Sequence, residues 1–146
     1  MFLPVTLTSA AAAALIALWL MVRIVRLRMR GKVLHGDGGD PLLARRIRAQ
    51  LNFVESAPFV LVLVAALELA GRGGLWLTLM AGVFWLGRVV HALGMDAAGE
   101  NKLRMAGTII TLITLLVLAV VAALVATGVL PPQVAVEGIA PPYATA

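Results

Sequence analysis

The stretch Arg45-Arg46-Ile47-Arg48-Ala49-Gln50-Leu51-Asn52-Phe53-Val54-Glu55-Ser56-Ala57-Pro58 opens a long apolar segment, yet it carries guanidinium, amide and carboxylate groups. Arg48, Asn52 and Glu55 stand at i, i+4 and i+7, which is one face of an α-helix. On a helix that crosses a membrane, each ionisable side chain near the middle costs at least ~2.5–3.5 kcal/mol if it meets lipid. The stripe is therefore expected to face protein, water or a ligand.

Composition puts the chain in a membrane. Of its 146 residues, 62% are hydrophobic, well above the roughly 45–50% of a soluble domain. Four apolar segments run from about Leu7 to Val25, Ile47 to Ala70, Leu75 to Met95 and Met105 to Val129. Each is close to the ~20 residues that span a bilayer as a helix. The expected fold class is all-α: a four-helix integral membrane bundle with helices over about 7–30, 42–71, 75–96 and 103–128. These make one unit over 1–130, followed by a mobile Pro-rich tail over 131–146. The first segment has no basic residue before it and a dense basic cluster after it, which suits an uncleaved helix better than a secretory signal.

Charge placement sets the expected orientation. Arg23, Arg26, Arg28, Arg30, Lys32, Arg45, Arg46 and Arg48 cluster at and between the facing ends of the first two segments, and Lys102 and Arg104 lie in the third connection. Arg72 alone marks the other side. The positive-inside rule then puts both termini outside the cytoplasm. Of these, Arg23, Arg28, Arg30, Lys32, Arg45 and Arg46 read mainly as a topology signal with lipid headgroup contacts. Trp19, Trp76 and Trp85 read as interfacial anchors or packing, and Glu68 with Arg72 as an i, i+4 pair.

With these directions, polar groups from several helices fall at one depth. Arg88 lies about 20 Å down the third helix at 1.5 Å per residue, with His91 one turn on. Arg104 and Thr108 open the fourth helix, Arg26 ends the first, and Arg48, Asn52 and Glu55 begin the second. Two readings follow. Glu55 and Arg88 could simply pair, a structural role. Alternatively, the excess of guanidinium over carboxylate forms a site for an anion bearing carboxylates, which arginine binds bidentately; such a site would also stabilise a thiolate. The chain has no cysteine, so any thiol must arrive on a ligand. His, Asp and Glu show no metal-binding spacing, no P-loop or dinucleotide fingerprint occurs, and no metal or nucleic-acid partner is expected. Pro58 is expected to kink the second helix above the polar patch.

The segment Arg48-Ala49-Gln50-Leu51-Asn52-Phe53-Val54-Glu55 with Pro58 resembles the second-helix signature RAxxNxxExxP of the MAPEG family, the membrane-associated proteins in eicosanoid and glutathione metabolism. Val25-Arg26-Leu27-Arg28, Gly87-Arg88-Val89-Val90-His91 and Leu103-Arg104 are similar to further pieces of it. The resemblance implies a four-helix subunit in a homotrimer, with glutathione between subunits near the cytoplasmic face. It implies that Arg26, Arg48, Gln50, Asn52, Glu55, Arg88 and His91 hold glutathione and that Arg104 stabilises its thiolate. Three departures argue against a prostaglandin or leukotriene synthase and leave a bacterial-type member. Ala44 stands where many members have glutamate and Met105 where one synthase has serine, and Tyr143 in the tail is the only tyrosine.

The function expected is that of a glutathione-dependent transferase or peroxidase of the bacterial inner membrane, acting on lipophilic electrophiles. The alternative is a non-enzymatic lipid-binding or accessory protein. A small transporter is disfavoured, because Glu55 shares its helix face with Arg48 and Asn52.

Overall fold

The computed structural model describes residues 2–131 as four helices: α1 Pro4–Gly31, α2 Pro41–Leu69, α3 Leu75–Gly94 and α4 Lys102–Ala126. All four are long and apolar enough to cross a membrane, and no strand occurs among the described residues. The expected tail lies, apart from Pro131, outside the described residues, as does Tyr143.

Local sequence fixes the helix ends. Pro41 pre-sets the first turn of α2, and Asp40 caps it by accepting from the amides of Leu42 at 2.8 Å and Leu43 at 3.3 Å. Asn101 caps α4 through the Leu103 amide at 2.8 Å. The N-terminus of α1 has no cap of its own. Glu68, from the far end of α2, supplies one, accepting from the Val5 amide at 2.9 Å and from the Thr6 amide and hydroxyl at 2.7 Å each.

This corrects the expected Glu68–Arg72 pair. Unsatisfied amides carrying the positive end of a helix dipole offer a carboxylate more than a single guanidinium does. Arg72 instead donates to the Pro131 carbonyl.

α1 packs on α2 and α3, α4 packs on α2 and α3, and α1 and α4 do not touch. Val60, Val64, Leu77, Phe84 and Leu118 are fully buried between the helices. Trp85 is core rather than anchor, edge-on to Phe84 with ring centroids 4.7 Å apart. Large apolar residues such as Leu15, Leu112 and Leu116 point outward, as a lipid-facing surface requires. α2 continues unbroken through Pro58, which lies on an apolar groove beside Ala10, Ala13 and Ala14 of α1, away from the polar face.

At the other end of α1, Arg23 is buried. Its guanidinium lies 4.6 Å over the Trp19 ring, donates to the Ala92 carbonyl at 3.3 Å and pairs with Asp96. Arg46 meets the same carboxylate from α2, with Nε at 3.2 Å from Oδ1 and Nη2 at 3.1 Å from Oδ2, and also donates to the Arg23 carbonyl at 3.3 Å. These two arginines, expected as topology signals, tie α1, α2 and the end of α3 together. The half-exposed Asp96 supplies the countercharge that the buried Arg23 guanidinium needs.

Candidate functional site

α3 and α4 approach closely because glycine lines their contact. A Cβ on Gly107 would fall 2.5 Å from the His91 Cβ and 2.6 Å from the Gly87 carbonyl oxygen, and one on Gly94 would lie 2.9 Å from the Arg104 Cα. No side chain fits there. The approach brings the His91 ring against the first turn of α4.

His91 Nδ1 lies 3.1 Å from the Arg104 carbonyl oxygen. A carbonyl only accepts, so Nδ1 carries the proton, and Nε2 of the neutral ring accepts from Asn52 Nδ2 at 3.2 Å. This tautomer is assigned from the network. Thr108 donates its hydroxyl proton to the same Arg104 carbonyl at 3.0 Å, and its oxygen stands 3.3 Å from His91 Nδ1. One histidine thus joins α2, α3 and α4.

Around it lie two adjoining cavities of about 260 Å³ each. The outer one is lined by Arg48, Asn52, His91, Met95, Arg104 and Thr108. The inner one shares Asn52, His91 and Thr108 and adds Glu55, Ser56, Arg88 and Thr111, with Leu112 and Leu115 as its apolar wall. Together they form a groove between α2, α3 and α4, holding Arg48, Arg88 and Arg104 against Glu55.

Arg88 and Glu55 line the same cavity without forming an ion pair. Arg88 is only 3% exposed and donates from Nη1 to the Thr111 hydroxyl at 3.1 Å, while its Nε is buried with no hydrogen-bond partner. The simple structural pairing is therefore absent, and one buried donor is left without a partner, which costs free energy. The guanidinium groups of Arg48 and Arg104 make no hydrogen bond to described residues.

The groove thus gathers Arg48, Asn52, Glu55, Arg88, His91 and Arg104. It does not gather the other two expected residues. Gln50 lies about 200° round the helix from Arg48 and from Asn52 and lines neither cavity. Arg26 is exposed on α1, the helix that never meets α4. Thr111, Ser56 and the two close-contact glycines were not singled out from sequence. Thr111 could have been, since it follows Arg104 at i+7 and Thr108 at i+3 on one face of α4.

Chemically, the groove offers three guanidiniums, one carboxylate and a neutral imidazole beside apolar walls. Such a set can hold an anion that bears carboxylates, which guanidinium groups bind bidentately.

Comparison with known proteins agrees with the architecture. The chain is 39% identical over 92 residues to the inner membrane protein YecN of Escherichia coli K12, covering 60% of this chain and 70% of that relative. YecN of Escherichia coli O6:H1 matches with the same identity and coverage. The sequence model of the MAPEG family matches residues 6–124, a span that includes every groove residue and nearly the whole of the four helices. With the second-helix signature lining a groove among four membrane-spanning helices, the chain belongs to the MAPEG family.

Proposed function

We propose that the protein is a membrane glutathione transferase or peroxidase that acts on lipophilic electrophiles. Its family includes such enzymes as well as members without enzymatic activity. The observation that carries the reading is the groove in which Arg48, Arg88 and Arg104 outnumber Glu55, with no ion pair between Arg88 and Glu55.

In this reading Arg48 and Arg88 hold carboxylates, Glu55 and Asn52 hold the ammonium and amide groups, and His91 fixes the Asn52 amide. Bound glutathione supplies the thiol nucleophile that the chain lacks. Arg104, at the mouth of the groove, favours the ionised thiol; lowering a thiol pKa by about two units corresponds to roughly 2.7 kcal/mol. Leu112 and Leu115 exclude water and admit an apolar second substrate. Arg26 reaches the ligand from a neighbouring subunit of a homotrimer, and Gln50 supports α2. The groove faces the cytoplasm, with both termini outside, in an inner membrane like that of YecN.

Calorimetric titration of the purified protein with reduced glutathione, followed by ultraviolet absorbance of the thiolate, tests this. Binding heat and thiolate absorbance are expected, and the absence of both would sink the reading. A second reading, a non-enzymatic lipid-binding member, is favoured by the wholly apolar groove of about 320 Å³ between α1 and α2. Lipid that co-purifies with a protein unable to bind glutathione would support it.

A further inference from the structure

We infer that Thr111 is a positioning residue that aims Arg88 into the groove and so sets affinity for the ligand's carboxylate. The inference rests on the glutathione reading and deepens it. The Thr111 hydroxyl donates its proton to the Gly107 carbonyl at 2.9 Å. With that proton committed, its oxygen can only accept toward Arg88, and it does so from Nη1 at 3.1 Å.

Thr111 is itself buried, 7% exposed, on the α4 turn where the glycine contact holds α4 against α3. Its hydroxyl is therefore fixed from two sides, by the backbone of its own helix and by the packing of the neighbouring one. The Thr111 contact is the one hydrogen bond that Arg88 makes among the described residues; Nε is enclosed, while Nη2 is neither enclosed nor hydrogen-bonded at the cavity that Arg88 lines. An arginine held at Nη1 with Nη2 unengaged is oriented, yet still able to take a carboxylate. Without the Thr111 oxygen, the buried guanidinium would have no fixed partner, and the alternative acceptor in the same cavity is Glu55. Arg88 would then be drawn to Glu55, neutralising both groups that the ligand uses.

The test compares Thr111→Val, which keeps shape and removes the hydroxyl, with Thr111→Ser, which restores it. Reduced glutathione is titrated into the purified full-length protein. In Thr111→Val, Kd is expected to rise about tenfold, the worth of one hydrogen bond to a charged group. The thiolate fraction at saturating glutathione should stay at the wild-type level, because Arg104 sets it. Thr111→Ser should recover most of the affinity. In an Arg88→Gln background, Thr111→Val should have no further effect on Kd.

If wild type binds glutathione and Thr111→Val binds it equally well, the inference fails while the proposed function stands. If wild type binds none, the proposed function itself fails. A Thr111→Val effect that persists in the Arg88→Gln background overturns a route through Arg88. Should Thr111→Val not fold, Thr111→Ala carries the same comparison without a branched side chain. Failure of both to fold would make the hydroxyl purely structural and overturn the inference.

Discussion

His91 on α3 and Arg104 on α4 are joined by a 3.1 Å hydrogen bond from imidazole Nδ1 to the main-chain oxygen. The arginine proposed to stabilise the thiolate is therefore positioned through its backbone, and its guanidinium stays free for chemistry. Position and charge are held by different parts of one residue, so a side-chain substitution removes the charge without disturbing the helix contact.

Arg104→Ala should accordingly abolish thiolate formation while leaving the protein folded and its oligomeric state unchanged. Ultraviolet difference spectra with saturating glutathione and size-exclusion light scattering measure the two quantities. Retained thiolate would remove Arg104 from its catalytic role.

Gly107→Ala should destabilise the bundle by about 1–3 kcal/mol, the usual range for overpacking, because the added carbon meets both a side chain and a carbonyl across the helix contact. It should also displace His91 and weaken glutathione binding. Thermal melting in detergent reports the first effect and calorimetry the second; an unchanged melting temperature would show that the contact can relax freely.

Asp96→Asn removes the carboxylate shared by Arg23 and Arg46 and leaves the buried Arg23 charge uncompensated. A loss on the order of 3 kcal/mol is expected, read as a lower melting temperature. The double variant Asp96→Asn with Arg23→Met should recover part of that loss, since it removes the stranded charge as well.

Glu68→Ala should fray the start of α1, costing on the order of 1 kcal/mol as the loss of a helix cap does. Hydrogen exchange at the Val5 and Thr6 amides should accelerate while exchange in mid-helix stays slow. Equal protection in both proteins would contradict the cap.

Four helices were legible because long apolar runs leave a membrane chain few choices. The groove was legible where polar residues interrupted those runs: Arg48, Asn52 and Glu55 by helical spacing, and Arg88, His91 and Arg104 by depth. Pair choices were not. Glu68 and Arg72 stand one turn apart, yet the carboxylate goes to amides 63 and 62 positions away, and Arg23 finds Asp96 across 73. Local spacing carries no information about partners that only tertiary packing brings together. Gly94 and Gly107 were likewise silent, because a glycine's role in letting backbones touch is visible only once the facing helix is known.

The two fastenings of α1 bear on the order in which the protein assembles. Its ends are secured by Glu68 at the close of α2 and by Asp96 just beyond α3. α1 therefore waits, unfastened at one end until α2 is complete and at the other until the turn after α3 is. α4, which never touches α1, follows these three and brings Arg104, Thr108 and Thr111. Without α4 the other three helices keep both fastenings of α1 yet form no groove, so ligand binding reports that α4 has joined the bundle rather than that α1, α2 and α3 have inserted.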